Sequence, residues 1–458
     1  MGLLTQLLPL FMLLCSYSCY SILQEDPFSN YLDEVSVYNT LVYPNYPNYF
    51  STVDDREGDF ESISKSLMNY KTEISTLEQL DQVGSLATSV TVVNVDDYGA
   101  KGDGRDDTEA FKNAWKAACS SSPSVLLVPQ NKNYLLKPIT FSGPCKSDLT
   151  LLIYGTIEAS DDQEDYEHDR RYWLVFENIK HFKVEGGGTI NGNGNIWWQN
   201  SCKVNKELPC NPAPTAITFL ECKNLQVRNL NIKDSQQMHV VFQNCVNVHA
   251  FNLMITAPGN SPNTDGIHVT GAKNVLIRNC VIKTGDDCIS IVSGSSKVHA
   301  TDITCGPGHG ISIGSLGAGN QEAHVLDVKV DKAKLYGTMN GVRIKTWQGG
   351  SGSAKKIKFQ NVYMYNVTNP IIIDQNYCDQ DEPCKEQYSA VQVQKVMYKN
   401  IKGTSASEVA MKFDCSKTFP CLGIYLEDIS LVREGGTSAA SCENVKWTQT
   451  GSVSPLCP

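Results

Sequence analysis

Long apolar runs are nearly absent from this sequence of 458 residues. The exception is Leu3–Leu14, a run of about twelve residues that is too short to span a bilayer and fits the core of a signal peptide. Small residues follow this run, and we therefore expect residues 1–21 to be a signal peptide. No later stretch is long and apolar enough to cross a membrane, so the sequence predicts a secreted protein without a membrane partner after signal removal.

Paired Cys-x-x-Cys motifs are also lacking, which argues against a structural zinc site. Of the 17 cysteines, Cys15 and Cys19 lie in the leader, and the rest lie in the second part of the chain. In an oxidising compartment, cysteines that are close in sequence are expected to pair. The candidate disulfides are Cys119–Cys145, Cys202–Cys210, Cys288–Cys305, Cys378–Cys384, Cys415–Cys421 and Cys442–Cys457. The three remaining cysteines are an odd number, so at least one should be a buried thiol: Cys222, Cys245 and Cys280.

Basic residues are scarce in one part of the chain. Residues 22–90 hold 12 acidic and 3 basic residues, so they contribute −9 to the net charge of −10. They include the low-complexity run Tyr43–Tyr49, whose prolines exclude a central strand. We interpret this range as an acidic, pro-like or poorly ordered segment, and a solvated spacer is the simpler alternative. Residues 91–458 are close to neutral, so the overall charge says little about their ligand.

A phosphate-binding loop is missing as well. The glycine-rich stretch Gly99–Gly104 lacks the Gly-Lys-Ser/Thr ending of such loops, which argues against a nucleotide site, and we expect no nucleic-acid partner. After it, the pattern predicts a helix over residues 107–119, with Phe111, Trp115 and Ala118 on its apolar face.

A short pattern repeats from about residue 175 onward, and it lacks the helical period. The first four units are spaced 23, 27 and 23 residues apart, and each offers short, alternating, β-branched strands between polar turns. No unit can bury its apolar face alone, so the coils must stack. This predicts an all-β fold, a parallel β-helix, capped by the helix in front and by the disulfide-bearing tail after Cys415 behind. Cys222 and Cys245 occupy the same place in successive units, which indicates an internal ladder. The units begin at Asn224, Asn247, Asn274, Lys297, Lys356 and Gly423.

Three aspartates, Asp265, Asp286 and Asp287, are spaced so that stacked coils would crowd them together. Crowded carboxylates repel one another, so at least one pKa should rise and that group can act as a proton donor, while the others orient water. Glycoside hydrolysis needs this combination, and clustered Ca²⁺ ligands are the alternative. Gly285 permits the turn that lets adjacent aspartates share a face. Steps of 22, 22, 34 and 34 residues predict one groove lined by Asp265, Asp287, His309, Arg343 and Tyr377.

Two further motifs suggest what such a groove binds. His309 stands between Gly308 and Gly310, which we interpret as leaving room for a bulky ligand. Arg343 and Lys345 are two residues apart and therefore point the same way from a strand. Two cations beside acids suit a sugar that carries a carboxylate, and salt bridges to the aspartates are the alternative.

Four blocks together resemble the hallmark motifs of the polygalacturonases in glycoside hydrolase family 28. They are Asn263-Thr-Asp-Gly, Gly285-Asp-Asp-Cys, Gly308-His-Gly and Arg343-Ile-Lys, in this order. The resemblance covers residues 91–458, which we expect to be the catalytic domain. It implies a right-handed parallel β-helix and inverting hydrolysis of α-1,4-linked galacturonic acid in pectin, without a metal or another cofactor.

The resemblance also implies roles for single residues. Asp286 would be the general acid, and Asp265 and Asp287 would activate water. His309 would support the protonation of the acid or bind sugar. Four residues would bind substrate or line the cleavage site: Arg343, Lys345, Asn263 and Tyr377. The implied partner is the pectin polymer, and the implied setting is the cell wall, with the enzyme acting as a monomer.

Alternatives stay open beside this interpretation. A pectate lyase shares the fold but needs Ca²⁺, and a non-catalytic protein could bind the wall polymer without cleaving it. The sequon Asn366-Val-Thr predicts glycosylation on a surface loop. Trp197 and Trp198 are expected to pack at a coil edge rather than stack on sugar. His239 and His268 are expected to pack or hydrogen-bond within the coil walls.

Overall fold

The computed structural model describes residues 90–146, 148–379, 384–433 and 435–458. The predicted signal peptide, residues 1–21, and all of the acidic segment 22–90 except its last residue lie outside the described residues. Within the described part, 28 strands form two sheets of 17 and 11 strands, here called sheet A and sheet B. No helix in that part is long and apolar enough to cross a membrane.

The strands are numbered in chain order. Sheet A contains β1 (Thr91–Asn94), β2 (Asp103–Asp106), β3 (Ser124–Val128), β4 (Asn133–Leu136), β6 (Leu149–Ile153), β7 (Thr156–Ala159), β9 (Lys180–Glu185), β10 (Thr189–Asn191), β12 (Lys223–Lys233), β14 (Val246–Thr256), β16 (Lys273–Lys283), β18 (Ser296–Cys305), β20 (Glu322–Tyr336), β22 (Ser351–Val367), β24 (Gln392–Ser405), β26 (Cys421–Arg433) and β28 (Val445–Ser454). Sheet B contains β5 (Ile139–Ser142), β8 (Tyr172–Glu177), β11 (Thr215–Leu220), β13 (Val240–Gln243), β15 (Ile267–Thr270), β17 (Ile289–Ile291), β19 (Ile311–Leu316), β21 (Asn340–Trp347), β23 (Asn369–Tyr377), β25 (Val409–Asp414) and β27 (Ala439–Glu443). The helices are α1 (Thr108–Cys119) and α2 (Asn195–Gln199), and 3₁₀ turns span Val95–Tyr98, Gln163–Tyr166 and Ala318–Asn320.

The chain winds as a parallel β-helix, as the repeat predicts. From β10 onward the strands of the two sheets alternate along the chain, and each named strand pairs in parallel with its counterpart in the next coil. The predicted steps are confirmed, because Lys223 pairs with Val246, Val246 with Lys273, and Lys273 with Ser296. Along β3 and β6 every second side chain is buried, so the coil interior is a continuous apolar core.

Asparagine is frequent in the repeat for a backbone reason. The long strands of sheet A bend sharply at residues with positive φ, such as Asn229, Asn252 and Asn279 at 53°, 55° and 51°. Asparagine adopts this conformation more readily than most residues with a side chain. Its amide also bonds to the asparagine one coil away, at 3.0 Å from Asn252 to Asn229 and 2.8 Å from Asn279 to Asn252. The bend and the ladder together select this residue.

The amino-terminal end of the coil is covered by helix α1. Its Trp115 ring packs against Phe141, with centroids 5.0 Å apart, and Phe141 begins a stack of phenylalanines inside sheet B. The stack continues through Phe176 to Phe219 at 5.3 Å, and from there to Phe242 at 5.6 Å. Offset stacking of this kind adds to the stability that burial already provides. The first coils therefore have an aromatic core.

The cysteines follow the predicted scheme in this structure. Among the described residues six disulfides are formed, in the pairs Cys119–Cys145, Cys202–Cys210, Cys288–Cys305, Cys378–Cys384, Cys415–Cys421 and Cys442–Cys457. Cys222, Cys245 and Cys280 are free and buried, so all three leftover residues are interior thiols. The tail after Cys415 continues the coil through β26, β27 and β28, and the Cys442–Cys457 bond ties its end back.

Candidate active site

The acidic residues lie in the turns that lead into successive strands of sheet B. Asp265 precedes β15, Asp286 and Asp287 precede β17, and His309 precedes β19. Backbone hydrogen bonds hold these turns side by side, since the N–H of Gly266 bonds to the carbonyl of Asp287 at 2.9 Å. The two 22-residue steps of the predicted groove are therefore coil steps. We call the outer face of sheet B from β15 to the end of β23 the groove.

The two 34-residue steps of the prediction are wrong. Arg343 pairs with Ser312, three residues beyond His309, and its partner in the next coil is Ile372. Tyr377 pairs instead with Trp347. The coils in this half differ in length, so equal spacing in sequence does not mean equal position. Both residues still reach the groove. Arg343 does so through its long side chain, and Tyr377 does so because it is the last residue of β23.

Asp287 lies at the centre of the groove and is only 1% exposed. Its Oδ1 accepts hydrogen bonds from Ser312 at 2.7 Å and from Arg343 Nη2 at 2.8 Å. Its Oδ2 accepts one from Lys345 Nζ at 3.1 Å. Both oxygens are thus fixed, and both predicted cations form ion pairs here with side chains that are about nine-tenths buried. This arrangement is the salt-bridge alternative of the sequence analysis, with both cations paired to Asp287.

Asp286 pairs with His309. Nδ1 of His309 lies 2.9 Å from Oδ1 of Asp286, and that oxygen also accepts the N–H of Asp287 at 2.7 Å. Burial by itself would raise the pKa of Asp286, but the His309 bond and the charge of Lys345 hold this pKa below its usual value. Burial likewise opposes the charge on His309, yet its bond to Asp286 raises the pKa of His309 above 6.5. The two side chains form an ion pair.

Asp265 has a different environment. It is 9% exposed, and its Oδ2 accepts a hydrogen bond from Ser290 at 2.6 Å. Burial raises its pKa, and the charge of Asp286 raises it further, while His268, 3.7 Å away, opposes the shift. The sequence predicts at least one raised pKa among the aspartates, and the family resemblance implies Asp286 as the acid. In the structure the raised pKa belongs to Asp265, because Asp286 has a histidine partner.

Two further predicted residues border these groups. Asn263 donates from Nδ2 to Oδ2 of Asp286 at 3.4 Å, a long hydrogen bond. The ring of Tyr377 lies under Lys345, with Nζ 5.2 Å from the ring centroid. Burial raises the pKa of Tyr377 to about 12, so its hydroxyl stays protonated at neutral pH. Both residues therefore stand beside the charged cluster.

The glycines around His309 are required by the backbone, a reason that the sequence did not reveal. A Cβ on Gly310 would stand 2.0 Å from the carbonyl oxygen of Asn340 in the next coil. One on Gly308 would stand 2.7 Å from the carbonyl oxygen of Asp286. Both glycines also have positive φ, at 144° and 87° for Gly308 and Gly310. They allow neighbouring coils to approach and so position His309 against Asp286.

Sequence reasoning missed the two serines that orient the aspartates. Ser290 bonds to Asp265, and Ser312 bonds to Asp287 and accepts from Arg343 Nε at 2.9 Å. A signal was present, since Ile-Ser-Ile occurs twice at 22 residues' distance, and the register continues from Ser312 to Arg343. His268 lies among these side chains, with Nδ1 2.7 Å from Ser290. It borders the groove as well as the coil wall.

The remaining predicted residues lie outside this cluster. His239 is fully buried, with Nδ1 2.9 Å from the carbonyl oxygen of Asp265 and Nε2 3.3 Å from that of Thr256, and burial lowers its pKa to about 4. Asn366 is exposed but lies near the end of β22 rather than on a loop. Trp198 donates from Nε1 to the carbonyl of Ser235 and lines a pocket of about 250 Å³. The three aspartates of the groove do not line this pocket.

Asp286, Asp287 and His309 are also the described residues that could hold a metal ion. One ligand atom from each lies within 4.8 Å of the others. Calcium prefers a shell of six to eight oxygens, whereas this set includes an imidazole nitrogen. Arg343 and Lys345 already supply positive charge to Asp287, which disfavours a cation there. The donor set therefore fits a metal poorly.

Comparisons with known proteins identify the family of this chain. Residues 119–454 match the family model of the glycosyl hydrolases family 28. A polygalacturonase of Persea americana is 58% identical over 449 residues, covering 97% of this chain and 95% of the relative. Polygalacturonase-2 of Solanum lycopersicum is 55% identical over 416 residues, covering 90% of each chain.

Solved structures with the same fold were also found. A polygalacturonase from Erwinia carotovora superposes with a TM-score of 0.65 at 23% identity, over 80% of this chain and 98% of the other. Endopolygalacturonase I of Stereum purpureum, solved with two galacturonates, has a TM-score of 0.57 at 18% identity, over 74% of this chain and 98% of the other. At these identities the likeness concerns the parallel β-helix alone.

Proposed function

The chain belongs to the glycosyl hydrolases family 28, and we propose that it is a polygalacturonase that hydrolyses α-1,4 bonds between galacturonic acid residues of pectin, with inversion. One observation carries the proposal for this chain's own site. Three carboxylates and two cations, up to 80 residues apart from Asp265 to Lys345, converge on the outer face of sheet B. Acids can move protons there, and cations can hold an acidic sugar.

Proton donation to the leaving oxygen is assigned to Asp286 together with His309. The raised pKa of His309 favours a proton on the imidazole, 2.9 Å from Asp286, so the pair can hold a proton for the reaction. The 16% exposure of the Asp286 side chain leaves an oxygen accessible from the groove. Once the proton sits on Asp286, the group can pass it to the glycosidic oxygen as that bond breaks.

Activation of the attacking water is assigned to Asp265 and Asp287. Each has one oxygen anchored by a serine, which fixes the direction of the carboxylate. Inversion requires the water to attack from the side opposite the leaving group, so the base must lie across the groove from the acid. In this assignment Asp265 ionises more readily when Asp286 carries the proton, because the charge of an ionised Asp286 raises the pKa of Asp265.

Recognition of the substrate carboxylate is assigned to Arg343 and Lys345. Arg343 uses Nη2 and Nε for Asp287 and Ser312, which leaves other N–H donors of its guanidinium. Lys345 has three N–H donors, one of which bonds to Asp287. Both cations can therefore hold Asp287 and a galacturonate at once, while Asn263 and Tyr377 line the cleavage site.

The setting of the enzyme follows from the same proposal. Residues 91–458 form the catalytic domain, and the acidic segment 22–90 stands outside it as a pro-like region. Six disulfides are typical of an oxidising compartment, which supports secretion into the cell wall. We also propose that the enzyme works as a monomer and that Asn366 carries a glycan, since its side chain is exposed.

The test is product analysis on de-esterified polygalacturonate with the purified enzyme. A hydrolase releases new reducing ends, its products lack the ultraviolet absorbance of an unsaturated sugar, and a chelator leaves the rate unchanged. Unsaturated products or loss of activity with the chelator would identify a Ca²⁺-dependent lyase. Binding without any release of reducing ends would identify a non-catalytic wall protein.

A further inference from the structure

One ion pair joins parts of the chain that the active site does not use. Nζ of Lys203 lies 2.9 Å from both carboxylate oxygens of Asp379, although 176 residues separate the two. The side chains are 44% and 51% exposed. An ion pair this exposed contributes little to the stability of the fold. Its importance lies in the parts of the fold that it connects.

The two partners belong to opposite edges of sheet B. Lys203 lies in residues 200–214, which lead from α2 to the amino end of β11, whereas Asp379 follows the carboxyl end of β23. The strands of sheet B are parallel, so their amino ends share one edge and their carboxyl ends the other. The inner face is filled by the core. A contact between the edges must therefore cross the outer face, where the groove lies.

The contact also runs along the axis of the coil. Five strands, β13, β15, β17, β19 and β21, lie between β11 and β23. Six steps of about 4.8 Å correspond to about 29 Å along the groove. The aspartates precede β15 and β17, so the coils that carry them lie between β11 and β23 along this axis.

The far end of the contact stands beside the active site. Burial raises the pKa of Tyr377, and the next cause is the charge of Asp379, which places that carboxylate near the tyrosine ring. The same ring lies under Lys345, whose Nζ bonds to Asp287. A chain of direct neighbours thus leads from Lys203 to the central carboxylate.

Both ends of the crossing segment are firmly built. At its start, Trp197 of α2 is buried against Tyr166, with ring centroids 5.2 Å apart, and Trp198 bonds to Ser235. The Cys202–Cys210 disulfide closes the segment around Lys203, and the Cys378–Cys384 disulfide is adjacent to Asp379. Rigid ends joined by one weak, exposed ion pair are suited to opening and closing at that pair.

We propose that residues 200–214 form a strap across the groove and that Lys203 is a further substrate-binding residue, which exchanges Asp379 for a galacturonate carboxylate of the polymer. This inference rests on the proposed function. The exchange replaces one carboxylate by another, so it costs little free energy, and it is driven by the many carboxylates of the polymer. A closed strap keeps the polymer in the groove between cuts, and internal stretches of a chain enter only while the pair is open.

The first experiment breaks the pair in two ways. Asp379→Asn removes the charge without changing the shape, and Lys203→Ala removes the cation. Lys183→Ala, an exposed lysine on sheet A, is the matched control. We expect Lys203→Ala to raise KM for long polygalacturonate by about two- to fivefold, as exposed ion pairs allow, and Lys183→Ala to leave both KM and kcat unchanged. We expect Asp379→Asn to lower the viscosity of the polymer faster per reducing end released.

The second experiment closes the strap covalently. Lys203→Cys and Asp379→Cys are combined, and the two thiols are joined with a short bismaleimide. The reagent does not reach the thiols of Cys222, Cys245 and Cys280, because they are buried. We expect the initial rate at which viscosity falls to be about tenfold or more lower for the joined enzyme, because polymer chains can enter only by their ends. Its rate on trigalacturonate should stay within about twofold of each single-cysteine variant treated alike.

The outcomes separate the two proposals. A parent enzyme that releases no reducing ends from polygalacturonate refutes the proposed function itself. A parent that is active, together with joined and broken variants that reproduce its viscosity curve and its KM, refutes the strap alone. Changes confined to the joined and broken variants, and absent from Lys183→Ala, support it.

Discussion

Replacing Asp286 with asparagine removes the transferable proton of the side chain and keeps its shape. The amide keeps an oxygen that can accept the N–H of Asp287, which now bonds at 2.7 Å, but it can neither donate a transferable proton nor carry charge. General acid catalysis is worth about 10²–10⁴-fold, so we expect kcat to fall by that factor, or about 3–5 kcal/mol of barrier. Arg343 and Lys345 contact Asp287 instead, so KM should change little.

The same variant has a second readout in His309. In the parent enzyme, burial lowers the pKa of His309 and the bond to Asp286 raises it, with a net rise above 6.5. Without the Asp286 carboxylate, burial and the charge of Arg343 lower the pKa of His309 and only the charge of Asp287 raises it. NMR titration of His309 should therefore give a lower pKa in the variant than in the parent. A purely structural role of Asp286 does not predict this fall.

The pair also gives a pH window of stability. The raised pKa of His309 stabilises the fold below 6.5 and stops doing so as the pH rises through the folded-state value. The lowered pKa of Asp286 stabilises the fold above 3.8 and stops doing so as the pH falls through its folded-state value. The pair therefore stabilises most between these limits, and Asp286→Asn should remove that maximum from unfolding curves taken at several pH values.

Asp331→Asn is the matched control for Asp286→Asn. Asp331 is 8% exposed and accepts hydrogen bonds of 2.7 Å from both Gln360 and Asn361 on sheet A, far from the groove. It undergoes the same chemical change and should keep full activity. A kcat of Asp286→Asn within a factor of about three of the parent would refute the assignment and move the acid to Asp265, whose pKa is the raised one.

Three further changes test the fold and the binding residues. The pKa of His239 is about 4 in the folded protein and 6.5 in the unfolded chain. The free energy of unfolding of the parent should therefore fall by about 3 kcal/mol between pH 7 and pH 4, and urea unfolding of His239→Asn should lack this fall. Gly310→Ala should destabilise by more than about 2 kcal/mol in the same assay, because its Cβ meets the Asn340 carbonyl, whereas Gly319→Ala, with open space and similar positive φ, should cost about 1–2 kcal/mol. Arg343→Lys keeps the charge but loses the fork, so Kd for galacturonate should rise about tenfold with little change in melting temperature.

The fold could be predicted from sequence because its rules are local. Each bend in a sheet A strand needs a residue that tolerates positive φ, and Asn229, Asn252 and Asn279 meet that need at regular steps. The apolar alternation between bends fills the coil interior whatever the neighbouring coil contains. A pattern of this kind is visible in any single unit and repeats down the chain.

The positions of Arg343 and Tyr377 could not be predicted in the same way. Coil length depends on turns that face solvent, and turns can lengthen without disturbing the core. In sheet B, Ile289 pairs with Ile311, but Ile311 pairs with Val342, so the step grows from 22 to 31 residues. Counting along the chain therefore gives the register only until the first turn of different length.

The electrostatics of the aspartates were out of reach for a related reason. Crowding predicts that one pKa rises, but the choice depends on partners supplied by other coils. His309 reaches Asp286 because Gly308 and Gly310 bring its coil close, while Asp265 receives a serine hydroxyl instead. Neither partner is close in sequence to the aspartate that it orients.

Substrate binding should change the proton on Asp286 in a direction that can be measured. In the free enzyme, burial raises the pKa of Asp286, and the bond to His309 and the charge of Lys345 lower it. A galacturonate carboxylate bound to Lys345 offsets part of that positive charge and excludes water, and both effects favour the protonated acid. Its pKa is then higher in the complex than in the free enzyme.

The alkaline limb of kcat against pH should therefore lie at higher pH than that of kcat/KM, since the two profiles report the complex and the free enzyme respectively. Coincident limbs, or an alkaline limb of kcat at the lower pH, would show that substrate leaves the acid's surroundings unchanged and that the proton is placed by some other group.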